Sequence, residues 1–414
     1  MWWDCIEQAE NIIYIAVMQS GFSPFTFSGI PALSRMSFDD VILRRGTGSI
    51  KWDLRPELDP YWVADMDFAS PPAVIEALQK RVAHGVFGYP IPHKGLREAI
   101  LNYLSSRFQF KTKVDWIVHL GGLVPALSLA ARAFGEPGDE LLTCTPVYPP
   151  FVSVARDAGM KTVTVDHVMS GGRWTFDWEG LEQAATAKTK IFLLCNPQNP
   201  LGRCFTGEEI TRIAEFCQAK GILLVSDEVH CDLVLDEEKT PFFSALHLSE
   251  ELRQNTIVLL SPSKTYNVAG LGYAYAVIEN SSIRGKFKSA RGHTMPEINC
   301  LAYYAAEAAY RDGESWRQDL LSYLRKNRDV ISEFVATEMQ GKIVIPDIEA
   351  TYLAWMDCSS FAFENPAGHL EKAGLFVSDG SYFRAKKHIR FNFGCAQSRV
   401  LEGLGKIKSG LLNY

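Results

Sequence analysis

One lysine in this sequence stands where its amine could act as a nucleophile. Lys264 follows an apolar run, residues 256–260, that predicts a buried strand, and Ser261 and Ser263 precede it at short range. A lysine amine at the end of such a strand can form a Schiff base with a carbonyl compound when burial or a neighbouring charge lowers its pKa. The pattern alone is far more typical of an ordinary surface lysine, so its meaning depends on other residues of the chain.

Asp227 and Asn199 follow two further predicted strands in the same way. Asp227 closes the run 222–226, and Asn199 lies in a double Asn-Pro segment after the run 190–195. The intervals from Asn199 to Asp227 and from there to Lys264 each have room for a helix and a returning strand. We therefore expect all three side chains at one rim of a parallel sheet, where such sheets bind ligands. A carboxylate there can pair with a protonated pyridine nitrogen, and an amide can donate to a phenolate oxygen; a helix cap and a turn are the structural alternatives.

Two other features fit a flat, phosphorylated ligand at the same rim. Gly121-Gly122 joins a predicted strand, residues 116–120, to an apolar helix over 124–134. Backbone amides at such a helix N-terminus suit a phosphate group, and Ser261 and Ser263 could complete its binding site. Tyr148 follows another strand and could stack on a planar ring. A plain loop and a core tyrosine are the alternatives for these two features.

The elements that must position these residues form a regular alternation of strands and helices between about residues 116 and 278. This order predicts a three-layer α/β fold with a mostly parallel seven-stranded sheet covered on both faces. A long charged helix, residues 316–338, then leads into strands at 342–345, 352–356 and 389–393, which predicts a smaller α+β domain built from both chain ends. The predicted boundaries are an N-terminal extension at 1–35, a segment packing with the small domain at 36–85, the large ligand-binding domain at 86–312 and the C-terminal small domain at 313–414.

Composition narrows the class of protein. The 414 residues are 47% hydrophobic and 22% charged with a formal net charge of −6, which argues against a nucleic-acid-binding or membrane-binding surface. The nine cysteines form no Cys-x-x-Cys pair, so we predict a reducing, cytoplasmic location and no metal site. Residues 1–35 lack the positive start of a secretory signal, and the apolar run 12–18 is too short to span a bilayer. We expect an appended leader there, with a dimer-clasping arm as the alternative.

Taken together, the motifs resemble the pyridoxal-phosphate enzymes of fold type I, the aspartate aminotransferase fold. The matching pieces are Gly122-Leu123-Val124, Pro146-Val147-Tyr148, Asn199-Pro200-Leu201-Gly202, Asp227-Glu228-Val229-His230 and the Ser261-x-Ser263-Lys264 run. More narrowly, the chain resembles the MalY/PatB-type carbon–sulfur β-lyases, the cystathionine β-lyase group. The narrowing runs are Trp62 to Phe68, Asp227 to Leu233, Ser263 to Leu271 and Arg390 to Cys395.

The resemblance implies a role for each residue. Lys264 would carry pyridoxal 5'-phosphate covalently, and Asp227 and Asn199 would hold its pyridine nitrogen and phenolic oxygen. Arg390 would bind the α-carboxylate of an amino-acid substrate, a task that suits its planar fork. The remaining implied cofactor contacts are Gly122, Leu123, Val124, Tyr148, His230, Ser261 and Ser263. The resemblance also implies a homodimer, in which Tyr89 of one subunit reaches the cofactor of the other. Ala64 and Asn199 would bind the substrate together with Arg390.

Two departures and several alternatives bear on the implied activity. Many aminotransferases have tyrosine where His230 stands, and histidine there favours the lyase group. Residues 270–272 occupy the region where aminotransferases often carry a phosphate-binding arginine. The resemblance therefore implies β-elimination from an S-substituted cysteine with an uncharged or zwitterionic substituent. The alternatives are a class I/II aminotransferase, a cysteine sulfoxide lyase of a specialised thiol pathway and a regulatory protein that binds a transcription factor.

Overall fold

The computed structural model describes residues 37–293 and 295–412; the predicted extension at 1–35 lies outside these ranges. The strands are β1 Asp59–Tyr61, β2 Ile117–Leu120, β3 Glu140–Thr145, β4 Lys161–Asp166, β5 Val168–Ser170, β6 Arg173–Thr175, β7 Thr189–Cys195, β8 Leu223–Asp227, β9 Thr256–Leu260, β10 Ala274–Val277, β11 Leu353–Asp357, β12 Leu375–Asp379 and β13 His388–Asn392.

Helices fill most of the chain between these strands. They are α1 Ile50–Asp53, α2 Pro72–Ala83, α3 Lys94–Phe108, α4 Leu123–Phe134, α5 Pro150–Ser153, α6 Trp178–Ala184, α7 Gly207–Ala219, α8 Glu250–Arg253, α9 Ser281–Ala290, α10 Cys300–Asp312, α11 Glu314–Glu338, α12 Pro366–Lys372 and α13 Gln397–Leu412. Short 3-10 turns lie at Val114–Trp116, Val154–Ala158, Ala245–His247, Ala269–Leu271 and Gly380–Phe383. None of the described helices is both long enough and apolar enough to cross a membrane.

The large sheet has the strand order β2-β10-β9-β8-β7-β3-β4, and β10 alone runs against its neighbours. Successive residues of a strand point to opposite faces, so a strand covered on both sides must be apolar throughout. In β9, Val258 and Leu260 pack into one core with helices α3, α7 and α10, whereas Ile257 and Leu259 pack into another with α4 and α9. The predicted three-layer fold with a mostly parallel seven-stranded sheet is confirmed.

The second sheet has the order β1-β12-β13-β11 and takes strands from widely separated parts of the sequence. β1 pairs in parallel with β12, and the other pairs are antiparallel. Tyr61 of β1 stacks on Phe391 of β13 with ring centroids 4.6 Å apart, inside a core closed by α11, α12 and α13. The small α+β domain is therefore built from both ends of the described chain, as predicted, while the predicted boundaries between the domains remain a prediction.

The predicted strand at 342–345 is wrong. Only a single bridge joins Val344 to Asp357, and the Val344 side chain is 60% exposed. Gly341, with a φ of 74°, and Pro346, which has no amide hydrogen, bound the run so closely that no ladder forms. The small strands β1 and β12 and the β5–β6 hairpin were not predicted from the sequence.

Candidate active site

The carboxyl ends of β7, β8 and β9 bring three of the predicted residues to one cavity. Asn199, Asp227 and Lys264 all line a space of about 250 Å³ at this rim of the large sheet. The predicted residues in its wall are Ala64, Gly122, Leu123, Val124, Tyr148, Asn199, Asp227, His230, Ser263 and Lys264. The expectation of a shared rim, based on strand ends alone, agrees with this geometry.

Lys264 is the partly buried amine of the cavity. Its Nζ donates a 2.7 Å hydrogen bond to the carbonyl of Ala64, which lies 200 residues earlier in the chain. Burial lowers the pKa of Lys264 to about 8; Asp65 and Asp227 raise it and Arg390 lowers it further. A sizeable fraction of the amine is therefore unprotonated near neutral pH, as a nucleophile or base requires.

Asp227 is a buried carboxylate without a cationic partner. Its Oδ1 accepts a 3.1 Å hydrogen bond from the Val229 amide, and among the described residues no lysine, arginine or histidine lies within ion-pair distance. Burial raises the pKa of Asp227 to about 6, against the opposing effects of the Val229 amide and Lys264. A cation placed beside this carboxylate would favour its ionised form.

Arg390 on β13 is the complementary case, a buried cation. Its guanidinium donates to Asn199 Oδ1 over 3.0 Å, to the Trp62 carbonyl over 2.6 Å and to Ser378 Oγ over 3.2 Å, and it lies over the Phe383 ring. No carboxylate of the described chain lies within ion-pair distance of it, and its Nε has no hydrogen-bond partner there. Burial lowers the pKa of Arg390 to about 10. The guanidinium is oriented by neutral acceptors and lacks a counter-anion within the described chain.

The turn between β2 and α4 offers backbone amides to an anion. Gly122 is the N-cap of α4 and makes no side-chain capping bond, which leaves the first-turn amides free of a cap. Gly272 closes the opposite side with a φ of 64°, and a Cβ there would lie 3.1 Å from the Gly121 carbonyl. Ser263 lines the cavity, but Ser261 does not: its hydroxyl donates to the Tyr273 carbonyl over 2.6 Å and accepts from the Ser263 amide.

Three other predicted residues differ in their surroundings. Tyr148 lines the cavity and is partly buried, and its backbone amide donates to the Asn199 carbonyl over 3.0 Å. His230 is buried in the wall; burial lowers its pKa to about 3, and its Nδ1 has no hydrogen-bond partner among the described residues. Tyr89 is fully exposed on the segment between α2 and α3, and it does not line the cavity of its own chain.

The segment 62–68 is held against the cavity by contacts that sequence reasoning missed. Its carbonyls accept hydrogen bonds from side chains of several distant elements. Trp62 is bonded by Arg390 and Ser378, Val63 by Asn392, Ala64 by Lys264 and Tyr352, Asp65 by Lys51 and Asn392, and Met66 by Arg44 and Asn267. Asn392 lies in the run Arg390 to Cys395 that the sequence analysis singled out, whereas no local motif marks Tyr352.

A larger cavity of about 530 Å³ lies elsewhere, between α2 and α10. Its walls carry Lys80, Arg81, Glu307 and Arg311, and it shares no lining residue with the cavity at Lys264. Over 37–293 and 295–412, no group of three or more histidine, cysteine or acidic side chains could hold a metal ion. The chemistry therefore concentrates in the smaller cavity.

Comparison with known proteins places this geometry in a family. The family model for aminotransferase class I and II matches residues 63–407. Cystathionine beta-lyase PatB of Bacillus subtilis is 35% identical over 391 residues, covering 91% of this chain and 100% of that protein. The crystal structure of OvoB superposes with a TM-score of 0.88 at 37% identity, covering 92% of this chain and 100% of that one.

Cystalysin from Treponema denticola, whose crystal structure contains a pyridoxal 5'-phosphate cofactor, superposes with a TM-score of 0.86 at 31% identity. The match covers 91% of this chain and 99% of cystalysin. The resemblance found in the sequence motifs is confirmed: the chain belongs to the aminotransferase class I and II family and, within it, to the group that contains PatB.

Proposed function

We propose that this protein is a pyridoxal-phosphate-dependent carbon–sulfur β-lyase that cleaves cystathionine or another S-substituted cysteine to pyruvate, ammonia and a thiol. One observation carries the proposal: a buried carboxylate, Asp227, and a buried guanidinium, Arg390, both lack an ionic partner in the described chain and flank the amine of Lys264. An amino acid bound to a pyridine cofactor supplies the missing charges. The activity named for PatB supports the same reaction class.

The residues of the cavity fit the cofactor. Asp227 would pair with the protonated pyridine nitrogen, which offsets the burial that otherwise raises the pKa of this carboxyl. The uncapped amides after Gly122, with Ser263, would hold the phosphate. Tyr148 would stack on the ring, and Lys264 would carry the covalent link. Ser261 would support the phosphate site indirectly, through its bond with the Ser263 amide.

Binding of the substrate depends on Arg390. Its guanidinium would bind the α-carboxylate, held in place by Asn199, Ser378 and the Trp62 carbonyl. This contact would fix the orientation of the amino acid at the site, with its Cα–H bond toward Lys264. The cofactor, when bound, withdraws electrons from Cα and makes that proton acidic.

Lys264 moves the proton in this scheme. Once the substrate amine has replaced it in the covalent link, the freed Nζ would take the proton from the substrate Cα, acting as general base. The Cβ–S bond then breaks, and the same Nζ returns the proton to the departing sulfur, so the thiol leaves neutral. Addition of one water to the three-carbon product gives pyruvate and ammonia, and no oxidant or reductant is needed.

Surfaces of the described chain also support a proposal for the substrate side chain and for the assembly. No arginine lines the cavity itself among the described residues, and Arg390 contacts its wall through Asn199. The absence of any further arginine from that wall supports an uncharged or zwitterionic substituent. The loop between α2 and α3 exposes three large apolar side chains: Phe87 is 57% exposed, Tyr89 100% and Ile91 70%. Such an apolar loop supports a homodimer in which Tyr89 reaches the partner's phosphate site.

The eight described cysteines are free and buried, which supports a cytoplasmic location.

The test is a product assay on the purified, cofactor-loaded protein. The substrate is S-methylcysteine or cystathionine. Pyruvate is measured by its reduction with lactate dehydrogenase, and the released thiol is measured by its reaction with a chromogenic disulfide reagent. We expect pyruvate and thiol in equal amounts, with both lost in Lys264→Ala. Amino transfer to a keto acid without pyruvate from any thioether would instead establish an aminotransferase.

A further inference from the structure

Asp65 lies next to the residue that holds the amine of Lys264. The Lys264 Nζ donates to the Ala64 carbonyl over 2.7 Å, and Asp65 is the next residue. One position further on, the Met66 amide donates to Asn267 Oδ1, and Asn267 Nδ2 donates to the Met66 carbonyl, both over 3.0 Å. Because Asn267 follows Lys264 by only three residues, the two segments are bonded on both sides of Asp65.

The Asp65 carboxylate is itself held in place by two cations. Arg44 binds both of its oxygens, at 2.9 and 3.3 Å, and the Lys51 Nζ lies 3.8 Å away. The Lys51 side chain is 1% exposed, whereas those of Arg44 and Asp65 are 22% and 21% exposed, so the cluster that fixes this charge is partly buried. Asp67 binds the same two cations, and its other side-chain partner is Trp52.

The charges around Lys264 come from three parts of the fold. Burial lowers the pKa of Lys264, Asp65 raises it, Arg390 lowers it and Asp227 raises it. His230, Tyr148 and Tyr352 are neutral neighbours of the same space. The proposed function requires Asp227 to pair with a pyridine nitrogen. Asp65 is then the remaining carboxylate that favours the ammonium form of Lys264, and it opposes the effect of the Arg390 charge.

We propose that Asp65 is a positioning residue for Lys264. Held by Arg44 and Lys51, it fixes the adjacent Ala64 carbonyl at the amine, and its negative charge favours the protonated amine once Lys264 has taken the substrate proton. This inference rests on the proposed function, in which Lys264 is the base. Asp67 provides a matched control, because it is the same residue type in the same ion-pair cluster but does not adjoin Ala64.

The test measures the reactivity of Lys264 in the full chain freed of cofactor. Formaldehyde with cyanoborohydride methylates unprotonated amines, and mass spectrometry of the Lys264 peptide reports the rate between about pH 6 and about pH 10. Wild-type reactivity should be half-maximal near pH 8. In Asp65→Asn the midpoint should fall by about one pH unit, so the reaction below the midpoint should be roughly tenfold faster than in the wild type. In Asp67→Asn the midpoint should fall by less than about 0.3 pH units.

A second variant moves the midpoint the other way and covers the case in which Asp65→Asn fails to fold. Arg44→Gln removes a cation from Asp65, so the midpoint of Lys264 should rise. Coincident wild-type and Asp65→Asn profiles, an equal shift in Asp67→Asn, or a fall in Arg44→Gln would each overturn the inference. If the wild type forms pyruvate but the midpoints of the wild type and Asp65→Asn are equal, only the role of Asp65 is refuted. If the wild type forms no pyruvate, the proposed lyase activity is refuted, and the midpoints of Lys264 can still be measured.

Discussion

Replacement of Arg390 by glutamine tests the substrate-binding half of the site most directly. The arginine donates three hydrogen bonds to neutral protein oxygens, at 2.6 to 3.2 Å, and a guanidinium has five N–H groups. Two N–H groups therefore remain for a carboxylate. Glutamine keeps a polar side chain, two atoms shorter than that of arginine, and removes the charge.

The expected magnitude follows from burial of the pair. Truncating one partner of a buried, hydrogen-bonded charge pair costs about 2–5 kcal/mol, and a tenfold change in rate corresponds to about 1.4 kcal/mol. We therefore expect kcat/KM of Arg390→Gln for S-methylcysteine to fall by roughly 30-fold to a few thousandfold. Arg390→Lys keeps the charge but loses the fork, so its loss should be smaller, about tenfold.

The assay compares kcat/KM for S-methylcysteine with kcat/KM for the methyl ester of S-methylcysteine. Formation of pyruvate is measured for the acid, and formation of methyl pyruvate is measured for the ester. Wild-type enzyme should prefer the free acid strongly, and Arg390→Gln should treat the two compounds nearly alike. Cofactor content, measured by visible absorbance, should stay unchanged, because Arg390 lies outside the proposed cofactor contacts. A loss below about fivefold, or an undiminished preference for the acid, would refute the role of Arg390.

Three further predictions address the cofactor. Asp227→Asn should lower kcat by about a hundredfold or more, measured as pyruvate formation at saturating substrate, because a neutral amide cannot hold a pyridinium charge. The rate of cofactor capture by cofactor-free protein, followed by absorbance, should rise with pH to half-maximum near pH 8, since only the unprotonated amine of Lys264 attacks an aldehyde; a rate independent of pH would contradict this. Gly272→Ala should weaken cofactor binding and lower the free energy of unfolding by about 1 kcal/mol, because φ is 64° and the new Cβ would lie 3.1 Å from the Gly121 carbonyl. Gly270→Ala is the control: its new Cβ would have nothing within 4 Å, so neither cofactor binding nor the free energy of unfolding should change.

Local pattern was enough to predict the large sheet. Its strands are continuous apolar runs between turn residues, and a Thr206–Glu209 capping box, a pattern of local sequence, marks the start of α7. The small sheet was harder, because β1 is three residues long and contains Pro60, and because its partner β12 comes more than 300 residues later. Such pairing depends on tertiary contacts that no short window contains.

The same distinction applies to the site. Asn199, Asp227 and Lys264 each end a strand of one parallel sheet, so their proximity could be predicted from order and spacing. Tyr352 and Asp65 could not be predicted in this way. Tyr352 donates to the Ala64 carbonyl across 288 residues of sequence, and nothing in either neighbourhood indicates that contact.

The way in which the segment 62–66 is held limits how this enzyme can be redesigned. Each of its carbonyls is an acceptor for a side chain from another element, so its shape is set by residues outside it. Insertions or deletions there would misalign all of these bonds at once, whereas side-chain replacements leave the backbone acceptors in place. Libraries that seek a new leaving group should therefore keep the length of this segment constant and vary its side chains instead.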